Sequence, residues 1–162
     1  ITSVGGGIIR DVMLNKVPFI LSHPHDIYLA TIVAIILFIV TKKKEIISKY
    51  NAKLLILDAI GLAIFTIIGA KIAMDNNQSL ISVAIISTIT GVGGGVLRDV
   101  LCSEIPIVLK EDVYAVLCFF GAILYYFLVL LLNNEFITSI IIFVLILTIR
   151  LIVIKYKLNL PK

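Results

Sequence analysis

The sequence predicts an all-α protein, a polytopic membrane helix bundle, on two observations. Of the 162 residues, 60% are hydrophobic and 15% are charged, whereas soluble domains average about 45–50% and about 25%. The apolar residues also gather in five blocks near the roughly 20 helical residues that cross a bilayer. Little of the chain is then left for a water-facing core, which excludes a soluble enzyme or a DNA-binding module.

The opening segment is apolar, contains three consecutive glycines, and starts without a cap, a turn or a charged flank. It has neither the basic start nor the long apolar middle of a signal peptide. We therefore expect the chain to begin inside a transmembrane element, with part of the native protein preceding Ile1. The five blocks that follow span 27–40, 54–70, 80–97, 113–132 and 136–154. Arg150 lies near the end of the last block, where we expect its long side chain to reach the membrane interface.

Positive charge is concentrated in the connection at 42–53. Its cations are Lys42, Lys43, Lys44, Lys49 and Lys53, against the single Glu45. Such a loop could bind anionic lipid or nucleic acid, but the positive-inside rule explains it without a nucleic-acid partner and places it in the cytoplasm. The lysine-rich C-terminus then also lies inside, and the cation-poor connections at 75–78 and 133–135 lie outside. We interpret the formal charge of +4 as an orientation signal in a multi-pass protein of the plasma membrane.

Two segments of the chain repeat each other at a constant offset of 88 residues. Between 2–21 and 90–109, ten of twenty positions are identical, and both copies read Gly-Gly-Gly-x-x-Arg-Asp followed by a proline. Under the topology above, the copies run in opposite directions through the bilayer, as an inverted-topology repeat. In such repeats the ion or substrate site lies near the midplane, at interrupted helices in matching positions. The candidate positions are Gly5, Gly6 and Gly7 in the first copy and Gly93, Gly94 and Gly95 in the second.

These glycine runs are costly inside an apolar helix, at roughly 0.8–1.0 kcal/mol per glycine relative to alanine. Broken backbone is tolerated in a membrane only inside protein or beside water. We therefore expect a kinked or locally unwound helix whose carbonyls could replace part of a cation's hydration shell. The alternative is close helix packing, since small residues let backbones approach. On the functional interpretation, Gly94→Leu abolishes flux and leaves assembly intact.

Nucleotide binding is excluded at the same glycines. Residues 96–98 lack the Lys-Ser/Thr of a P-loop, and Val96 stands where a dinucleotide fingerprint needs glycine.

Charged residues follow each glycine run. Arg10 and Asp11, like Arg98 and Asp99, lie at or near membrane depth, where charges usually pair or line an aqueous path. The alternative is that they only anchor helix ends at the interface. Neighbours on a helix point about 100° apart, so we expect each arginine to find its partner elsewhere than on the adjacent aspartate.

A further carboxylate lies in the second block. Asp58 shares one helix face with Gly61, Phe65 and Gly69 by spacings of three and four. We expect this face to point toward the bundle centre, because small residues favour helix contacts. Asp58 could then attract cations or pair with an arginine; the alternative is an interfacial residue.

Metal sites and cofactors are not expected. His23 and His25 have only Asp26 at ligand spacing and are interpreted as a solvated turn. Cys102 and Cys118 have no ligand pattern and are interpreted as packing or loop thiols.

The doubled Gly-Gly-Gly-x-x-Arg-Asp motif, together with Asp58-x-x-Gly61-Leu62-Ala63-x-Phe65, resembles the prokaryotic branch of the trimeric intracellular cation (TRIC) channel family. Bacterial members are also described as a glycine transporter domain family. The resemblance covers nearly the whole chain. It implies two inverted three-helix repeats plus a seventh helix, with glycine kinks in the second and fifth helices, in a homotrimer with a pore through each protomer.

On that pattern, 1–53 is the remainder of the first repeat, 54–132 is the second repeat, and 133–162 is the seventh helix with its basic tail. The first helix and the start of the second would then precede Ile1.

The function expected from these features is a cation channel in the lipid bilayer, with K⁺ as the ion, conducting past the two glycine runs. The charges Arg10, Asp11, Asp58, Arg98 and Asp99 are candidates for the pore or its gate. The alternative is a secondary transporter of glycine or another small amino acid that uses the same midplane site. A non-transporting scaffold is disfavoured by the interior charges.

Overall fold

The computed structural model describes residues 2–22, 24–40, 51–111 and 113–156, which form α-helices and their connections and contain no strand. The helices are α1 Gly5–Met13, α2 Phe19–Ser22, α3 Pro24–Val40, α4 Asn51–Asp75, α5 Leu80–Leu101, α6 Ile107–Lys110, α7 Val113–Leu132 and α8 Glu135–Tyr156. The predicted all-α class is confirmed.

Four of these helices are long and apolar enough to cross a membrane, over 55–75, 80–101, 113–132 and 135–156. They correspond to four of the five predicted blocks. The fifth, α3, has 17 residues, or about 25 Å of helix, somewhat less than a bilayer core of about 30 Å. Residues 41–50, most of the basic connection, lie outside the described residues, as do His23 and the lysines at 157 and 162.

Helix α5 lies at the centre of the bundle, because α1, α4 and α7 all pack against it. Small residues allow this crowding. A Cβ atom on Gly69 of α4 would lie 2.8 Å from the Cα of Ser87, so the two backbones nearly touch. The Ser87 hydroxyl donates a 2.5 Å hydrogen bond to the main-chain carbonyl of Thr66 at the same crossing.

Helices α1 and α5 end in the same way, at positions 88 residues apart. Asn15 and Ser103 follow the helix ends with φ of 54° and 57°. The next residues donate backbone hydrogen bonds to the Asp11 carbonyl at 2.8 Å and the Asp99 carbonyl at 2.9 Å. This is a left-handed helix cap, which satisfies carbonyls that the helix leaves open. It turns the chain toward the proline and the short helix that follow each repeat.

Candidate functional site

The helices α1 and α5 cross at their glycines. Gly6 lies against the main-chain carbonyl of Thr90, and Gly94 lies against the main-chain carbonyl of Thr2, with no space for a Cβ atom at either. Each residue of one contact is 88 positions from its counterpart in the other, so the contact is reciprocal, as at a pseudo-two-fold axis. The close-packing alternative is confirmed for these two glycines.

Local unwinding, one of the two forms expected at the glycines, is wrong for the second run. Helix α5 continues from Leu80 to Leu101 without interruption, through the whole glycine run, and the described glycines all have negative φ. The glycines remain helical, and their lack of a side chain allows the two helices to cross closely. A bend of the helix axis stays a prediction. The expectation for Gly94→Leu also changes, because a leucine there would collide with the Thr2 carbonyl and break the assembly itself.

The third glycine of each run points away from the crossing, toward the charged residues. A Cβ atom on Gly95 would lie 3.5 Å from the Tyr114 hydroxyl and 3.9 Å from Asp58 Oδ1. A Cβ atom on Gly7 would meet only the Arg10 Nη2 atom, at 3.7 Å. Gly7 and Gly95 therefore leave space beside the charged side chains.

Each arginine of the motif pairs with the aspartate next to it. Arg10 reaches Asp11 Oδ1 through Nε at 2.8 Å and Nη2 at 2.7 Å, and Arg98 Nε donates to Asp99 Oδ1 at 2.8 Å. The expectation that the partners come only from elsewhere is wrong. The Cβ atoms of the arginine and the aspartate do point apart, but the arginine side chain is long enough to bend back to the adjacent carboxylate.

The second oxygen of each aspartate caps the short helix that follows the proline. Asp11 Oδ2 accepts the backbone N–H of Phe19 at 2.8 Å, and Asp99 Oδ2 accepts that of Ile107 at 3.0 Å. The aspartates therefore fix the turn after each repeat helix and orient the neighbouring guanidinium at the same time.

Asp58 joins α4 to α5 and α7. Its Oδ1 atom lies 3.2 Å from Arg98 Nη1, and its Oδ2 atom accepts a 2.8 Å hydrogen bond from the Tyr114 hydroxyl. The prediction that Asp58 pairs with an arginine is confirmed. The carboxylate is 8% exposed, so the burial of its charge is balanced by these contacts.

Arg150 belongs to the same region, which the sequence reasoning missed. Its side chain is fully buried, its Nη1 atom lies 2.5 Å from Glu111 Oε2, and its Cζ atom lies 4.6 Å from the centre of the Tyr114 ring. The expectation that Arg150 reaches the interface is wrong, because it lies on the face of α8 that packs into the bundle. The signal was present in the spacing: Thr138, Ile142 and Ile146, at four-residue steps before it, are all buried.

We call the side chains of Asp58, Arg98, Asp99, Glu111, Tyr114 and Arg150 the inner cluster. Its charged members are three carboxylates and two guanidiniums, which sum to −1. Among the described residues, the first copy of the motif contributes the neutral pair of Arg10 and Asp11. The net charge of these six side chains therefore favours a cation.

A cleft of about 690 Å³ lies beside the pair of Arg10 and Asp11, between α1, α3 and α4. Its lining includes Gly7 of α1 and Phe65 and Ile72 of α4. One face of α4 therefore runs from Asp58 in the inner cluster, past Phe65, to the cleft. The predicted alignment of Asp58 and Phe65 on one face matches this arrangement.

Comparison with known proteins identifies the family. The family model described as "Glycine transporter" matches residues 1–43 and 55–130. The inner membrane protein YadS of Escherichia coli K12 is 36% identical over 99% of this chain and 78% of its own length. The Bacillus subtilis membrane protein YvgT is 32% identical over 90% of this chain and 71% of its own length.

Solved structures of TRIC channels have the same fold. The Rhodobacter sphaeroides TRIC orthologue superposes with a TM-score of 0.87 at 28% identity, over 97% of this chain and 80% of the other. A prokaryotic TRIC channel in 0.5 M KCl gives 0.83 at 34% identity, over 98% and 80%.

The chain belongs to the TRIC family. Membership confirms the predicted fold class and the prediction that the chain is not an enzyme. With its four membrane-length helices and an inner membrane protein among its relatives, this TRIC-family chain is a multi-pass protein of the plasma membrane.

Proposed function

We propose that this TRIC-family chain is a cation channel, with K⁺ as the conducted ion. The observation that carries the proposal is the inner cluster, where three carboxylates stand against two guanidiniums. Charged groups at membrane depth are expensive and mark ion pathways. Two solved structures that share the fold are described as cation channels, which supports the same assignment.

The proposed route follows one face of α4 between the two repeat helices. It starts at Asp58, passes Gly95 where the missing side chain leaves space, and continues past Phe65 to the cleft at Gly7 and Arg10. Carboxylate oxygens attract the ion at the inner cluster, and the Phe65 ring provides an apolar narrowing of the kind that gates by excluding water.

The proposed architecture is a pair of inverted repeats. The reciprocal contacts of Gly6 and Gly94 and the identical helix caps at Asn15 and Ser103 support it. In this proposal, 1–53 and 54–132 belong to the two repeats and 133–162 adds the last helix. Three copies form a homotrimer, and the connection at 42–53 and the C-terminus lie in the cytoplasm.

A second candidate function is a carrier for glycine or another small amino acid. The description of the matching family model favours it. Such a carrier would use the same space beside Gly95, with the inner cluster binding the ammonium group of its substrate, and would open alternately to the two sides.

Reconstitution of the purified protein distinguishes the channel from the carrier. In a planar bilayer, a channel gives unitary currents that reverse near the K⁺ equilibrium potential, and liposomes containing it show no saturable glycine uptake. Saturable uptake of labelled glycine without unitary current would contradict the channel and support the carrier. Asp58→Asn should weaken either activity, whereas the control Glu135→Gln, at the exposed pair with Lys71, should not.

A further inference from the structure

Among the described residues, the buried guanidinium of Arg150 makes one hydrogen bond, to Glu111. The side chain is fully buried, yet its Nε and Nη2 atoms have no hydrogen-bond partner among the described residues. Leaving buried donors unpaired is costly, and a buried ion pair is weak evidence for stability, because apolar replacements are often neutral or stabilising. Stability alone therefore does not explain an arginine at this position.

The Arg150 guanidinium is linked to Asp58 through one intervening side chain, that of Tyr114. It lies 4.6 Å from the ring centre of Tyr114, within the range of a cation–π contact. Tyr114 is only 3% exposed and donates its hydroxyl proton to Asp58 Oδ2 at 2.8 Å. Glu111, at the end of α6, holds the other side of the guanidinium. The contacts thus form a continuous series from Glu111 through Arg150 and Tyr114 to Asp58.

The arginine of this series comes from α8, which lies outside both copies of the motif. Among the described residues, α8 packs against α4 and α7, and it makes no contact with α1 or α3. With a two-residue gap after the aligned segments, Asp26-Ile27-Tyr28 matches Asp112-Val113-Tyr114, so Tyr28 is the counterpart of Tyr114. Tyr28 lies on α3, which α8 does not contact within the part of the chain that the structure describes. The last helix therefore makes the two halves of the site unequal.

We propose that Arg150 is a positioning residue for the cation site, which holds Tyr114 against Asp58 and so keeps one carboxylate oxygen occupied by a hydrogen bond. This inference rests on the proposed function, since it requires cations to pass Asp58. With both oxygens engaged, the carboxylate attracts an ion but does not retain it, and conduction needs sites that release ions readily. Releasing Tyr114 frees Oδ2 and makes the site bind K⁺ more tightly.

The test is a double-mutant cycle on single-channel conductance, measured against K⁺ concentration in the reconstituted protein. Arg150→Met and Tyr114→Phe should each lower both the K⁺ concentration for half-saturation and the maximal conductance by roughly twofold or more, since twofold is the lower end of the couplings between contacting residues. In the Tyr114→Phe background, Arg150→Met should add little further change. A direct field effect of the lost charge would instead be additive and would overturn the inference.

The chain offers a matched control. Lys155 lies on the same helix, is exposed, and places its ammonium 5.4 Å from the ring centre of Tyr156. Lys155→Met should leave the half-saturating K⁺ concentration unchanged, and an equal shift in both variants would contradict a role specific to Arg150. If Arg150→Met does not fold, Arg150→Lys, which keeps the charge and loses the planar guanidinium, replaces it in the cycle with a smaller shift of the same sign.

A failure of the proposed function and a failure of the positioning role of Arg150 give different results. A wild-type protein without K⁺ current refutes the proposed function. A wild-type protein that conducts, with Arg150→Met indistinguishable from Lys155→Met, refutes only the positioning role.

Discussion

Gly6 on α1 lies against the main-chain carbonyl of Thr90 on α5, with no room for a Cβ atom between them. The repeat reproduces this contact between Gly94 and Thr2. The glycines of each run therefore have different roles. The second glycine forms the helix crossing, and the third leaves space beside the charged side chains. The consequences of substitution should differ between neighbouring positions.

Gly6→Ala should destabilise the protein, whereas Gly7→Ala should not. The alanine at position 6 would overlap the Thr90 carbonyl, and such overpacking typically costs about 1–3 kcal/mol. At position 7 the new Cβ atom has space, and the better helix propensity of alanine is worth up to about 1 kcal/mol. Thermal unfolding in detergent measures both. Equal unfolding temperatures for the two variants would contradict the different roles of the second and third glycines.

Gly95→Ala should lower conductance without harming the fold. The added Cβ atom makes ordinary contacts with the Tyr114 hydroxyl and Asp58, at 3.5 and 3.9 Å, so stability should change by less than about 1 kcal/mol. The same atom narrows the proposed route at its most negative point. Unitary conductance and unfolding temperature are measured together, with Ser139→Ala on α8 as a control away from the site. An unchanged conductance would remove Gly95 from the route.

The proposed orientation predicts which side of the membrane reaches Cys102. This thiol is exposed at the end of α5, whereas Cys118 is buried. A membrane-impermeant maleimide should label Cys102 in inside-out vesicles and not in intact cells. The variant Cys102→Ser should remain unlabelled, and Asp75→Cys in that background should be labelled only from outside. Labelling of Cys102 in intact cells would reverse the orientation.

Ser103→Gly should stabilise the protein by roughly 0.5–1 kcal/mol. Ser103 has φ of 57°, a left-handed conformation that costs a residue with a Cβ atom roughly 1–2 kcal/mol, partly offset by the greater freedom of glycine in the unfolded chain. Ser139→Gly, in the interior of α8, should instead destabilise by about 1 kcal/mol. Thermal unfolding compares the two, and a lower unfolding temperature for Ser103→Gly would show that the serine hydroxyl is needed at this cap.

Helix number and extent were largely predictable, because apolar blocks of near-membrane length leave few alternatives. The block at 113–132 and helix α7 have the same bounds. The pairing of Asp58 with an arginine was also within reach, since a buried carboxylate needs a partner.

The role of Arg150 was not predicted, and the sequence left two alternatives open for the glycines. An arginine near a helix end can reach the interface or turn inward, and only the packing of α8 on α4 and α7 decides between them. Three glycines can unwind a helix or allow a close crossing, and the choice depends on a second helix that presents the matching surface. Likewise, the pairing of Arg98 with Asp99 depends on side-chain torsions that helix periodicity does not describe.

The most direct test of the central claim, cation conduction past Asp58, is the reversal potential of the reconstituted protein in a KCl gradient. The inner cluster predicts reversal near the K⁺ equilibrium potential for the wild-type protein, and a shift toward zero for Asp58→Asn, which leaves two guanidiniums against two carboxylates. Glu135→Gln should reverse with the wild type. A wild-type reversal near the Cl⁻ equilibrium potential, or one that Asp58→Asn leaves unmoved, would contradict the claim.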